Sequence, residues 1–329
     1  SHTHSRVETS IVRGMATATR GATRRRAAPL SDDGAAVAAQ EIETKPPIPR
    51  KRQPHTVLIA VLATYLAATA ARIAAEAWRP VDTAALSDFD GAGAHRVLKT
   101  LCAMGPRVTG SARAEIDAIS MLTEELHLLS EVAAAAGATL EVESHRGSGG
   151  FYSDFLDGFA TAYQNVSSIV ARLSWPGASR DALLLAAHFD SFPTSPGAAD
   201  NAANVASALY VLRALASGPA QRHSVLLLLN GGEESLFLAA HAFAVGHRWA
   251  HDYRVVLNLE AIGSGGDQII FQLGPEAGWL AEAMRTAPGV RGTVIAHDLF
   301  QIPGFPAGTD LKTLLKHAPR SKEDGGGGK

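Results

Sequence analysis

The sequence predicts an α/β fold: a mostly parallel central sheet with helices on both faces, preceded by one membrane helix. Three observations predict it. After Asp181, short continuous apolar runs alternate with helix-length segments, the pattern of strands buried on both faces. Several of those runs end in His, Asp or Glu, where α/β sheets gather their ligands. A separate apolar run, Val57–Ala71, follows the basic cluster Arg50-Lys51-Arg52 near the N-terminus. Composition agrees: 329 residues, 46% of them hydrophobic, exclude a wholly disordered chain, and a single cysteine, Cys102, excludes a disulfide scaffold.

Residues 1–55 read as a disordered basic tail, with 10 Lys/Arg against 5 Asp/Glu and a helix-blocking Pro46-Pro47-Ile48-Pro49. The remaining residues hold 20 Lys/Arg against 27 Asp/Glu, and the tail has no aromatic residue, so no nucleic-acid footprint is present. An Arg-rich organelle-targeting peptide is the other reading of the tail; its acidic residues favour a cytosolic one. The run to Ala71 is short for a hydrocarbon core of about 30 Å, but a helix continued to Trp78 reaches about 33 Å. Residues 56–78 are therefore expected to be a transmembrane signal anchor, with a cleaved signal peptide and a buried Ala-rich helix as alternatives. The basic cluster ahead of it predicts a cytosolic N-terminus and everything after Trp78 across the membrane.

Residues 79–318 are expected to form one domain, with 319–329 a Gly-rich disordered tail. Gly91–Met104 and Ala112–Ala136 read as helices around a turn-rich Gly105–Ser111 loop, and Thr139–Val142 and Val166–Leu173 as strands. Then come strand Ala182–Ala187, helix Asn201–Ala216, strand Ser224–Leu229, helix Ser235–Val245 and strand Arg254–Leu259. Strand Gln268–Gln272, helix Trp279–Arg285 and a strand over Thr293–Ala296 complete the order. Asn165-Val166-Ser167 is a glycosylation sequon, which matters only on a lumenal side.

Four segments put metal-capable groups at strand ends. They are His188-Phe189-Asp190, Asp200, Asn230-Gly231-Gly232-Glu233-Glu234 and Glu260. Imidazole and carboxylate suit Zn²⁺, and one carboxylate can bridge two ions. Asp190 can accept the second ring proton of His188 and fix its tautomer. Glu233 and Glu234 cannot point the same way on an extended segment. One can bind metal while the other serves as general base toward metal-bound water. Asp200 taken alone reads as a helix N-cap, and a lone Glu-Glu pair as a solvated face; their joint occurrence in order is what singles them out. His241 and His247 read as surface histidines, Cys102 as packed core, and Trp175, Trp249 and Trp279 as core or edge packing.

These segments, with Gly105-Pro106-Arg107-Val108-Thr109-Gly110-Ser111, Ser195-Pro196-Gly197-Ala198-Ala199-Asp200 and Asn258–Gly266, carry a resemblance. From about Ser87 to Asp310 the chain resembles metallopeptidase family 28, the co-catalytic di-zinc exopeptidases. The resemblance implies a zinc-dependent, aminopeptidase-like hydrolase acting on peptides. It implies that Asp200 bridges two zinc ions, that His188 and Glu260 complete one, that Glu234 binds the other, that Glu233 is the base and that Asp190 orients His188. A membrane-anchored subtype of the family, with a cytosolic tail and a lumenal catalytic domain in the endoplasmic reticulum, also fits residues 1–78.

One departure stands out. The family's second zinc takes a final histidine well after Glu260, and only His297, in a strand-like stretch, and His317 remain. Neither has the family's local context, so both are expected to be ordinary histidines. The chain therefore looks C-terminally truncated, with one zinc in place of two, and a catalytically impaired or inactive binding module is the alternative to an active enzyme.

Overall fold

The computed structural model describes residues 55–77, 89–153, 158–261, 268–274, 277–287, 289–292, 294–302, 305 and 307–319. Residues 1–54 and 320–329, which hold most of the two expected tails, lie outside them, as do Trp78, Ser87 and the Gly263–Gly266 end of the last motif. The chain divides into two units, Ser1–Ala63 and Thr64–Lys329. Helix α1, His55–Ala77, contains a 19-residue window, Val57–Ala75, with mean hydropathy 1.9. By length and composition it is able to cross a membrane. Val57, Leu58, Ile59, Leu62 and Leu66 are all exposed on it, so the helix has no buried apolar face.

The second unit is built on a five-stranded sheet in the order β1-β2-β4-β3-β5. Its strands are β1 (Thr139–Ser153), β2 (Phe159–Ser174), β3 (Ser179–His188), β4 (His223–Asn230) and β5 (Tyr253–Asn258). The sheet is mixed. β3 pairs parallel with β4 and β5, the half expected from continuous apolar runs, whereas β1–β2 and β2–β4 are antiparallel. β1 and β2 are much longer than Thr139–Val142 and Val166–Leu173. The added length of β1 is largely exposed and Gly-rich, so it lacks the apolar run that marks a buried strand.

Alternation along the central strands feeds two cores. Leu185 and Ala187 of β3, with Leu227 and Leu229 of β4, pack against helices α2 (Gly91–Ala103), α3 (Ile119–Ala135) and α4 (Ala203–Ser217). Leu184, Ala186, Leu226 and Leu228 face the other way, where Ala240 and Phe243 of α5 (Leu238–Gly246) meet Leu314. Burying such side chains contributes about 1.5–3 kcal/mol each, and it places both helix layers so that the carboxyl ends of β3, β4 and β5 stay open.

Three boundaries differ from expectation. The helix expected from Ala112 opens with a wide π-type turn, Arg113–Ala118, before α3. The helix expected from Ser235 begins at Leu238, because Leu236 and Phe237 take left-handed φ of 72° and 64°. The strand expected over Thr293–Ala296 is replaced at Val294–Ala296 by helix α7, Val294–Gln301, while Thr293 lies outside the described residues; Val290–Gly292 (β7) pairs with Gln268–Ile270 (β6). A short apolar, β-branched run cannot by itself separate strand from helix. Helices α6 (Gly278–Met284) and α8 (Asp310–Lys316) complete the described elements.

Candidate metal centre

Parallel pairing sets three strand ends side by side, with His188 of β3 opposite Asn230 of β4 and Ala186 opposite Asn258 of β5. His188 Nε2 lies 3.2 Å from Asp200 Oδ1, 3.4 Å from Glu260 Oε1 and 4.0 Å from Glu233 Oε2. Ligand atoms of His188, Asp200 and Glu260 all fall within 4.8 Å of one another. Donors on a tetrahedral ion with bonds of about 2.0–2.1 Å sit about 3.3 Å apart, so the measured separations match such a set. On the other side of the ring, Nδ1 faces the Asp190 carbonyl at 3.2 Å and Asp190 Oδ1 at 3.3 Å. A proton on Nδ1 leaves the Nε2 lone pair aimed at two carboxylates, an arrangement that calls for a cation. Glu260 Oε2 is buried with no hydrogen-bond partner among the described residues, a further free acceptor at this point. Burial pulls the His188 pKa down, but hydrogen bonds to Asp190, Asp200 and Glu260 outweigh it and raise it well above the ordinary range. The donor set fits a divalent cation such as zinc.

Asp190 does more than face His188. Its Oδ1 accepts the Glu233 amide at 3.2 Å, and its Oδ2 accepts the Glu234 amide at 3.1 Å and the Thr109 hydroxyl at 3.0 Å. Ser235 Oγ donates in turn to Thr109 Oγ1 at 2.9 Å. One fully buried carboxylate thus joins the β3 end, the Glu233-Glu234 turn and the Gly105–Ser111 loop. Charged acceptors strengthen each such bond to about 1.5–3 kcal/mol.

Asp200 is not the helix N-cap expected of it. It sits within a π-type turn, Ala198–Ala202, with φ −122° and ψ 91°, while α4 starts beyond Ala202 without a side-chain cap. Freed from capping, its carboxylate reaches His188. Its peptide bond to Asn201 is cis, and Asn201 Nδ2 donates to the Leu259 carbonyl at 2.8 Å, tying this turn to the end of β5. Glu234 is half-buried, and burial followed by the Asp200 charge raises its carboxyl pKa. Among the described residues no histidine joins Asp200 and Glu234. His297 lies on α7, accepts the Leu273 amide and lines a cavity with Phe300 and Leu315. His317 packs edge-on against His241.

Two residues at the site were given no role from sequence. Asp310, at the start of α8, is fully buried, accepts a hydrogen bond from Asn230 Nδ2 and has Oδ1 unpartnered. Burial pushes its carboxyl up to about 7. Burial, then the Asp310 charge, pushes the Glu233 carboxyl up to about 10. In sequence Asp310 marks only the end of the resemblance, with no local pattern that assigns it a role. Arg107 is the second, fully buried, with Nε and Nη1 donating to main-chain carbonyls and Nη2 without a hydrogen-bond partner among the described residues.

Several other expectations change. His241 and His247 are buried rather than on the surface. His241 Nδ1 meets the Tyr163 hydroxyl at 2.7 Å, and His247 Nε2 lies 3.1 Å from Glu143 while Nδ1 accepts the Trp249 amide. Both lie on the α5 side that closes over β2, which a local surface pattern does not reveal. As expected, Trp175 and Trp249 are buried and Cys102 packs at the rim of the core, whereas Trp279 is exposed.

Residues 168–318 match Peptidase family M28. The chain is 38% identical over 227 residues to endoplasmic reticulum metallopeptidase 1 of Rattus norvegicus, an alignment covering 68% of this chain and 25% of that protein. The Homo sapiens protein of the same name gives the same identity and coverage. Among solved structures, the Legionella pneumophila LapA aminopeptidase is similar with a TM-score of 0.52 at 12% identity, covering 72% of this chain and 61% of that one, and so shares the fold. The chain spans about a quarter of the length of the curated relatives it matches.

Proposed function

The chain belongs to peptidase family M28, and from that premise we propose that it is a zinc-dependent exopeptidase, aminopeptidase-like, acting on peptides in the endoplasmic reticulum lumen. The observation that carries the reading is the convergence of His188, Asp200 and Glu260 on one point with Glu233 beside it. In this reading His188, Asp200 and Glu260 hold one zinc ion, and Asp200 with Glu234 offers carboxylates to a second. Bound there, zinc supplies Lewis acidity that polarises a peptide carbonyl and acidifies water. Glu233 takes the proton of the attacking water and returns it to the leaving amine. In the cation-free chain burial keeps Glu233 protonated; a nearby divalent charge favours its carboxylate form, the form a base needs. Asp190 holds His188 in the Nδ1–H tautomer and fixes the two glutamates by their amides. Residues 79–318 serve as the catalytic domain and 56–78 as its anchor, with the N-terminus cytosolic and the domain lumenal.

A second reading, a one-ion module impaired in hydrolysis, is favoured because, among the described residues, His188 is the one histidine grouped with Asp200 and none is grouped with Glu234. Zinc content by elemental analysis and hydrolysis of aminoacyl fluorogenic peptides separate the two. The enzyme reading expects zinc and turnover in the purified chain, with Glu233→Gln retaining zinc and losing activity by about 10²–10⁴-fold. Zinc with no Glu233-dependent turnover supports the module. A chain that takes up no zinc, or a His188→Ala variant that loses none, overturns both.

A further inference from the structure

We propose that Arg107 is the positioning residue that holds the metal-binding loops in register, a role resting on the zinc reading above. Its side chain is fully buried. Nε donates to the Phe189 carbonyl at 2.7 Å, and Nη1 to the carbonyls of Leu101 at 2.8 Å and Pro196 at 2.9 Å. Phe189 lies between His188 and Asp190, and Pro196 opens the turn that delivers Asp200. One planar guanidinium therefore ties the imidazole-bearing strand end to the carboxylate-bearing turn, with its third anchor on α2.

The main chain doubles the link. Arg107 N donates to Ser191 Oγ at 2.9 Å, Ser191 N donates to the Arg107 carbonyl at 3.1 Å, and Ser191 Oγ donates to the Ser195 carbonyl at 3.0 Å. Gly197, at φ 61°, closes this turn, and a Cβ there would collide with the Asp200 carbonyl and lie 3.3 Å from Arg107 Nη2. The turn thus packs closely against the guanidinium, whose Nη2 is buried without a hydrogen-bond partner among the described residues. Arg107 touches neither the ion nor the reacting atoms; it acts through Phe189 and Pro196. Lysine cannot replace it, because a single ammonium lacks the planar fork that reaches carbonyls in three directions.

The test compares the full chain with Arg107→Lys and Ser191→Ala. Folding is read by circular dichroism and thermal melting, zinc affinity by chelator competition, and ligand geometry by the visible spectrum of the Co²⁺-loaded protein. Outer-shell partners typically govern metal affinity by about 10–100-fold. Arg107→Lys should fold, bind zinc at least about 10-fold more weakly and shift the Co²⁺ bands, and Ser191→Ala should weaken binding by a smaller factor. Where peptide hydrolysis is measurable, kcat should fall more than KM. A folded Arg107→Lys with unchanged zinc affinity and Co²⁺ spectrum overturns the proposal, even if its melting temperature drops. If Arg107→Lys does not fold, unchanged zinc affinity in Ser191→Ala overturns it instead. Loss of zinc binding in Arg107→Lys but not in His188→Ala would overturn the metal reading and this proposal with it, whereas loss in His188→Ala with unchanged binding in Arg107→Lys overturns this proposal alone.

Discussion

Replacing Asp310 by Asn should stabilise the cation-free protein at alkaline pH and flatten its pH dependence. Asp310 is fully buried, its Oδ1 has no partner, and its carboxyl is raised from an ordinary 3.8 to about 7, chiefly by burial. Between those values the folded chain binds a proton that the unfolded chain has released. Stability therefore falls as pH rises through that window and stays low above it. A gap of about three pH units corresponds to about 4 kcal/mol. An asparagine keeps the shape and can still accept from Asn230 Nδ2 through its oxygen, but it forfeits the charge-assisted part of that bond, about 1 kcal/mol. The net expectation at pH 8 is a gain of about 3 kcal/mol, or about 6–12 °C in Tm for a domain of this size. Near pH 4, where both proteins are uncharged at this position, the variant should be equal or slightly less stable. The assay is thermal melting of the full chain and Asp310→Asn in excess chelator from pH 4 to 9. Parallel Tm-versus-pH curves, or a variant less stable than the parent at pH 8, would refute the reasoning.

Other outcomes follow from packing and topology. Gly147→Ala should cost about 1–3 kcal/mol in thermal melts, since its Cβ would lie 2.5 Å from that of Ala242 on α5. Gly278→Ala on α6 meets nothing within 4 Å and should be neutral or slightly stabilising. If the domain is lumenal, translation with microsomes should add a glycan that Asn165→Gln abolishes. Glycosylation of the already folded protein should fail, because Ser167 of the sequon is fully buried with its hydroxyl bound to Glu115; an unmodified Asn165 in microsomes would argue against the lumenal orientation.

Much of this was legible in the chain. The parallel strands β3 and β4 carry bare apolar runs buried on both faces, and the edge strand β5, mostly half-buried, shows a shorter one. His188, Asp200 and Glu260, whose ligand atoms the structure brings together, and Glu233 beside them follow those runs at the end where such sheets bind ligands; the roles expected of them and of Glu234 are proposals. The β1–β2 hairpin was read too short because half-exposed antiparallel strands carry glycines and polar residues. The helix at 294–301 was misread because Val294-Ile295 favours strands locally while tertiary context decides. Asp310 and Arg107 were missed for one shared reason. Their importance lies in long-range partners, Asn230 for one and Phe189 and Pro196 for the other, and no local pattern encodes those.

The shared Asp190 carboxylate has a consequence for how this molecule can vary. The imidazole at the end of β3 and the amides of the turn after β4 hang on the same two oxygen atoms, with Thr109 as a third tenant. A change that moves either strand end is felt at the other, so substitutions around Asp190 should be strongly epistatic rather than additive. Exchanging the 230–235 turn alone with a relative breaks a fitted set, whereas exchanging 105–111, 188–200 and 230–235 together transfers it whole. For recombination, these three distant stretches of sequence behave as one heritable block.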